Sequence, residues 1–362
     1  MAVIGARRFG CNVCGRPTSS GPSLVHVTIQ ARTLRLRSPL QAAYGAIAHR
    51  EIYELEIGDE DGVGGRGEAA PLEAYDGVSP ARARAALEAY RIVIEDSSDD
   101  RPGGELLDAC RAADDLPQAL AAVDMALWDR AGRRAARPVA RLLTDDVLDE
   151  VPVNATIGAE DRAGAAAGAA AARAAGFRCV KLKVGIGDDA GRVAAVRAAL
   201  GPEPLLRLDA NGAWSVEEAV GAIEALAAAG LELVEEPVHG LGALRELRDR
   251  VAVRIAMDET AAEPGALASG AADAVCLKLG RCGGISGLLA CATLVRASGA
   301  EAYVASTLDG PLGIAAALHA AAALRIEAAC GLSTLDLFAD CEHTLTVRDG
   351  AIAVPRGPGL LG

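Results

Sequence analysis

The 362-residue sequence predicts an α/β protein, a closed parallel barrel preceded by a small α+β domain. From Val151 onward, short apolar strands alternate with Ala-rich helices about eight times, the pattern of a β/α barrel. Charged residues recur at the C-terminal ends of consecutive strands, as a barrel mouth requires. Before Val151 the order differs, strands first and helices after, which marks a separate α+β unit.

The chain opens on a Gly/Pro/Ser-rich leader that includes "CNVCGRPTSSGPS" and is expected to be disordered. Cys11 and Cys14 form a lone CxxC there; structural zinc needs a second ligand pair at suitable spacing, and none follows. "LVHVTIQARTLRLR" and "REIYELEIGDEDGVGGRGEAA" alternate like antiparallel strands, the second with a Gly- and Asp-rich turn. Residues 79–143 turn helical, and "QALAAVDMALWDRAGRRA" carries an apolar stripe through Ala122, Met125 and Leu127. The barrel strands are expected at "VPVNAT", "CVKLKV", "LLRLDAN", "LELVEEP", "RIAMDE", "AVCLKL", "AYVAS" and near "EAACGL". Between them Ser215 and Glu218 fit a capping box, and Gly230 suits a helix stop. A doubly wound open sheet shows the same alternation but gathers its ligands at one switch point, so charges on successive strand ends favour the barrel.

Composition narrows the function. A 51% hydrophobic chain can bury a large core, while a net charge of −13 with 3% aromatics offers neither the basic patch nor the stacking platform of a nucleic-acid binder. A small-molecule partner is expected. No secretory apolar run opens the chain, and Arg173 or His319 interrupts the Ala-rich stretches short of the ~20 residues a membrane span needs, which points to the cytoplasm. Nine scattered cysteines read as reduced thiols, with Cys179 and Cys276 in the core.

The chemistry concentrates on five successive strand ends: Lys181 and Lys183, Asp209, Glu235 with Glu236, Asp258 with Glu259, and Lys278. They stand about 20 to 26 residues apart, one strand-plus-helix unit each. As strands two to six of eight, they would place lysines on opposite walls of one mouth with carboxylates between. Three carboxylates with no histidine or cysteine beside them make a hard, all-oxygen site suited to Mg²⁺, with Mn²⁺ as a substitute. Of 36 basic residues only these three are lysine. Lysine can give up its proton where arginine cannot, and the like charge of Lys181 would lower the pKa of Lys183 and poise it as a base. Abstraction of a proton next to a carboxylate fits, because the developing enediolate needs cations around it.

Other classes fit less of the pattern. A Schiff-base aldolase explains a lysine but leaves three carboxylates idle. A ligand-binding barrel explains none of the lysine bias, and the glycine cluster "GRCGGISG" at 280–287 matches neither the P-loop nor the dinucleotide fingerprint.

These residues resemble the enolase superfamily, in its muconate lactonizing enzyme subgroup. "KLK" at 181–183, "DANG" at 209–212, "VEEP" at 234–237, "MDET" at 257–260 and "KLGRCGG" at 278–284 match its motifs in order, and "GEAAPL" at 67–72 and "AAVDMALWDRAG" at 121–132 extend the likeness into a capping domain. A Lys base with Mg²⁺ is the arrangement already known for that superfamily. The resemblance implies a modified (β/α)7β TIM-like barrel at 146–334, a capping domain at 24–145 completed by about 335–362, and an extension at 1–23. It implies Asp209, Glu235 and Asp258 as Mg²⁺ ligands and Lys183 and Lys278 as acid/base groups, supported by Lys181 and Asn211.

Within the subgroup, "VPVNATIG" at 151–158, "VASTLDGPLG" at 304–313 and "CGLSTLDLF" at 330–338 resemble o-succinylbenzoate synthases of menaquinone biosynthesis. That likeness implies syn dehydration of a small carboxylate substrate by Lys183, with Lys278 stabilising the enediolate and Asn154, Asn211, Ser306 and Thr307 about the substrate. Dipeptide epimerases share the lysine pair but carry Asp-x-Asp where this chain reads "CGLSTLD", and mandelate racemase-like enzymes use a histidine, which neither His239 nor His319 supplies. Epimerisation, N-acylamino acid racemisation and cycloisomerisation remain alternatives, and homo-oligomerisation is left open.

Overall fold

The computed structural model describes residues 25–362 apart from 43–44, 59–61 and 99. The Cys11/Cys14 leader and part of the Gly/Asp turn lie outside them. Strands β1 (His26–Ala42), β2 (Gly45–Gly58) and β3 (Gly65–Ala69) form an antiparallel sheet in that order. Helices α1 (Glu73–Asp76), α2 (Pro80–Glu95), α3 (Gly103–Ala113), α4 (Pro117–Arg134) and α5 (Val139–Leu143) follow. Helix α4 is apolar on more than one side because it separates two cores. Leu120, Val123 and Ala126 pack with Leu55, Ile57 and Tyr90, while Ala121 and Met125 join the barrel core. It lies so close to β3 that a Cβ on Gly67 would fall 1.9 Å from the Ala122 carbonyl oxygen, so only glycine fits there.

The "VPVNAT" run divides in two. Strand β4 (Glu150–Pro152) leaves the barrel, and only β5 (Ala155–Ile157) enters it. Proline has no N–H to give a central ladder, which explains the break at Pro152. Helix α6 (Arg162–Ala174), β6 (Cys179–Lys183), α7 (Asp189–Leu200), β7 (Leu205–Asp209), α8 (Val216–Leu226), β8 (Leu231–Glu235), α9 (Leu241–Arg248), β9 (Arg254–Met257), β10 (Ala274–Leu277), α10 (Leu279–Cys282), α11 (Ile285–Ala297), β11 (Glu301–Val304) and α12 (Pro311–Ala323) complete the alternation. The Ser215/Glu218 capping box is present, and Gly230 ends the 3₁₀ turn that extends α8 with φ 70°.

Strands β5 to β11 make one parallel sheet in sequence order. Its edges are joined by Cys330 and Gly331, which bridge Val153 and Ala305; Asn154 N–H donates to the Cys330 carbonyl at 3.0 Å, and Ser306 N–H to that of Gly331 at 3.0 Å. A strand-like segment at "EAACGL" therefore closes the curl. The tail then returns: β12 (Val347–Arg348) and β13 (Ala351–Ala353) pair with β4, and Leu360 N–H donates to Asp129 of α4 at 2.7 Å. Among the described residues no helix is long and apolar enough to cross a membrane.

Candidate active site

Alternation along β6 sends Lys181 and Lys183 the same way, into the curl of the sheet. An unpaired ammonium there would cost several kcal/mol in lost hydration, so each must meet a counter-charge. Lys181 Nζ donates to Glu235 Oε1 at 2.8 Å and lies 2.9 Å from Asp209 Oδ2. Lys183 Nζ lies 3.2 Å from the same Asp209 oxygen and also bonds Asn211 Oδ1. Lys278 Nζ, just past β10, donates to Asp258 Oδ2 at 2.9 Å. All three carboxylates are buried. The three lysines and three acids therefore meet at one mouth, in hydrogen-bonded sets.

Further groups hold this set. Tyr303, on β11, donates to Glu235 Oε2 at 2.7 Å, and Tyr75, from the capping domain, donates to Asp258 Oδ1 at 2.8 Å. Arg281 in turn donates to the Tyr75 hydroxyl at 2.9 Å. Glu236 follows Glu235 directly but turns away, its backbone in the left-handed region with φ 38°. Its carboxylate accepts from the N–H groups of Asp258 and Thr260 at 2.7 and 3.0 Å and from the Thr260 hydroxyl, with His239 Nδ1 at 2.9 Å. Glu236 thereby fixes the turn that carries Asp258, and these bonds offset the backbone strain.

The charges of Lys181 and Lys278 are set by the carboxylates they meet. Burial pushes Lys181 down, but Asp209 and Glu235 outweigh it and hold it well above its ordinary value. Lys278 is likewise raised, burial being overcome chiefly by Asp258. Burial pushes Asp209 and Asp258 up, and the ammonium groups beside them bring both below the usual carboxylate range. Glu259 is different: burial, then the charges of Asp258 and Asp209, raise it to about 7. Asn211 donates to its Oε1 at 3.0 Å, and its buried Oε2 has no hydrogen-bond partner.

A carboxylate oxygen of Glu235, one of Asp258 and Cys276 Sγ lie within 4.8 Å of one another, close enough to share one cation. A thiol thus stands beside the carboxylates at the site. Cys276 precedes Lys278 by two positions on β10, so it shares the inward direction and brings its thiol 3.1 Å from Lys278 Nζ. Burial pushes that thiol well above its usual range. Asp209 stands outside the three-atom group, drawn to Lys181 and Lys183. Buried, ionised carboxylates fit a hard divalent ion.

The remaining substrate residues expected from sequence do not join this network. Asn154 bonds Ala155 O and Thr156 Oγ1 at the β5 edge, Ser306 shares a hydrogen bond with Thr334, and Thr307 donates to Asp309 at 2.8 Å. Asn154 and Ser306 flank the 330–331 closure. A cavity of about 430 Å³ instead runs between Asp76 and Gln118 of the capping domain and Asp258, Lys278 and Arg281 of the barrel. Sequence reading missed Tyr75, Tyr303 and Arg281. Tyr303 had a signal in its place inside an expected strand beside that of Lys278, and Arg281 in its place within the "KLGRCGG" motif.

Comparison with known proteins agrees with this architecture. Residues 164–361 match the family model described as enolase C-terminal domain-like, and residues 24–144 match the mandelate racemase / muconate lactonizing enzyme N-terminal domain. An o-succinylbenzoate synthase of Mycobacterium bovis BCG is 44% identical over 193 residues, 50% of this chain and 57% of the relative. That of Mycobacterium ulcerans is 43% identical over 194 residues with the same coverage. The chain thus spans little more than half the length of the curated relatives it matches. Among solved structures, a dipeptide epimerase from Enterococcus faecalis, complexed with Mg and L-Leu-L-Tyr, is 29% identical with a TM-score of 0.85, covering 92% of this chain and 98% of the other. The L-Ala-D/L-Glu epimerase of Bacillus subtilis is 28% identical with a TM-score of 0.86, covering 93% and 98%.

Proposed function

The chain belongs to the enolase superfamily, and from that premise we propose that it abstracts the proton α to the carboxylate of a small acid, most specifically in the dehydration of 2-succinyl-6-hydroxy-2,4-cyclohexadiene-1-carboxylate to o-succinylbenzoate, a step of menaquinone biosynthesis. The observation that carries the reading is that the only three lysines of the chain meet three buried carboxylates at one barrel mouth. Arginine in those places would supply the charge but could not exchange a proton.

Asp209, Glu235 and Asp258 would hold Mg²⁺, or Mn²⁺ in its place, which when bound supplies the Lewis-acid charge that makes the α-proton acidic enough to remove. Lys183, oriented through Asn211, takes that proton. It then returns it to the departing hydroxide, so that one C–H and one C–O bond break and water leaves. Lys278, held as an ammonium by Asp258, faces the negative charge that builds on the substrate. Lys181 offsets Asp209 and Glu235 and keeps them in place. Tyr75 and the capping domain, residues 24–145 with 335–362, cover the mouth of the barrel at 146–334 and restrict water.

Incubating the protein with the cyclohexadiene substrate and Mg²⁺ tests the reading. Ultraviolet absorbance of the aromatic product is expected to rise and to stop when EDTA is added. A second reading, racemisation or epimerisation of N-acyl amino acids or dipeptides, draws on the epimerase structures that cover nearly the whole chain. No aromatic product, together with racemisation across such a panel, would replace the first reading with the second.

A further inference from the structure

Two cysteines outside the proposed chemistry line the same cavity as Lys278 and Arg281. Cys282 ends α10, Cys291 lies on α11, and both are partly exposed free thiols. Each side chain lies near enough to the other to shift its proton affinity. The helices carrying them touch at the same place: a Cβ on Gly287 would fall 1.8 Å from the Cys282 carbonyl oxygen. Cys291 stands one helical turn beyond Gly287, on the same face.

We propose that Cys282 and Cys291 form a reversible disulfide that reshapes the cavity wall beside Lys278. The nearby Cys282 thiol pulls the Cys291 thiol down to about 7, against the effect of burial, so Cys291 is the attacking sulfur. With a peroxide as oxidant, the Cys291 thiolate attacks one peroxide oxygen, giving a sulfenic acid and, after protonation, water. The Cys282 thiol then attacks that sulfur and expels a second water. Two thiols have lost two hydrogens, and one peroxide has become two waters. A sulfur–sulfur bond of about 2.05 Å is shorter than any non-bonded contact between two thiols, so closure draws α10 toward α11. The cavity feels this because the Cys282 N–H is bonded to the Lys278 carbonyl at 3.0 Å and the neighbouring Arg281 holds Tyr75.

Trypsin cutting after Arg281 and Arg296 releases both cysteines on one peptide, residues 282–296. After hydrogen peroxide treatment of the native full chain, unfolding and alkylation, that peptide is expected to be two hydrogens lighter and unalkylated, and to regain both thiols with dithiothreitol. Peptides bearing the buried Cys110, Cys179 and Cys330 are expected to stay reduced. Turnover should fall about tenfold in kcat/KM and recover on reduction, because small displacements near a reacting group are costly. Cys291→Ser should stay active in peroxide. Alkylation of both cysteines in the oxidised sample would overturn the proposal, and so would a disulfide that leaves kcat/KM unchanged. The turnover arm rests on the proposed enolisation, whereas the mass arm does not; a disulfide in a protein inactive on every acid tested would sink the functional reading and leave the thiol pair standing.

Discussion

Two ion clusters share strands β7 and β8, and they are built on opposite rules. Toward the N-terminal ends of the strands, Arg207 grips Glu232 with two parallel bonds of 2.7 and 2.9 Å, gives a third to the Ala329 carbonyl at 2.6 Å, and lies over the Tyr303 ring at 5.0 Å. Every nitrogen of that guanidinium is committed. At the C-terminal ends, two residues on from Arg207 and three on from Glu232, Lys181 bridges Asp209 and Glu235 while Lys183 shares the same Asp209 oxygen. These are point charges that can change partners. The first cluster is a fastening, and the second is an arrangement left able to exchange protons and accept a cation. Tyr303 touches both, stacked on Arg207 and bonded to Glu235.

The sharpest way to break the comparison is Lys183→Arg, which turns one mouth residue into a floor-type residue. Turnover is expected to fall by about 10³-fold or more, the scale of a lost general base, while the thermal midpoint holds. Conversely, Arg207→Met leaves the partly buried Glu232 without its counter-charge, and denaturant unfolding should show a loss of about 1–3 kcal/mol. The folded fraction of that variant should keep most of its turnover, since the mouth is untouched.

Much of the mouth was legible because each acid or lysine ends an apolar run, so period and spacing bring them together whatever the details. What was not legible depends on long-range geometry. Nothing local says that Tyr75 reaches Asp258, 183 residues away, or which acid of "VEEP" faces inward until Glu236 takes its left-handed turn. The inward thiol of Cys276 escaped because a cysteine in an apolar strand reads as core, although its parity with Lys278 was available. The raised pKa values of Lys181 and Lys278 had no local signal either, because the carboxylates that decide them come from other strands. Asn154, Ser306 and Thr307 were expected through family likeness, and in the structure each bonds a local neighbour.

A third buried base sharpens the contrast. His319 has no carboxylate bonded to it: Nδ1 accepts from Ala140 N–H at 3.1 Å and Nε2 faces the Leu360 carbonyl at 2.9 Å, a pairing that only the neutral ring satisfies. Burial therefore pushes it down to about 4. The unfolded chain binds this proton near pH 6.5 and the folded one only near 4, so stability is full above about 6.5 and falls by roughly 3 kcal/mol as pH drops to 4. Unfolding measured across that window should show the slope, and His319→Gln should flatten it.

A smaller effect is expected from Tyr303→Phe, which frees one oxygen of Glu235 without adding or removing charge. Mg²⁺ affinity measured by calorimetry should weaken about 10- to 100-fold, as for other groups that orient a ligand from behind, with the fold retained.

The central claim is that the lysines are there to move a proton. Exchange of the substrate's α-hydrogen in deuterium oxide, followed by NMR with Mg²⁺ and an N-acyl amino acid that cannot eliminate water, tests it most directly. The native protein should wash deuterium into the α-carbon, and Lys183→Arg with intact metal binding should not. Exchange at the native rate in Lys183→Arg would contradict the account.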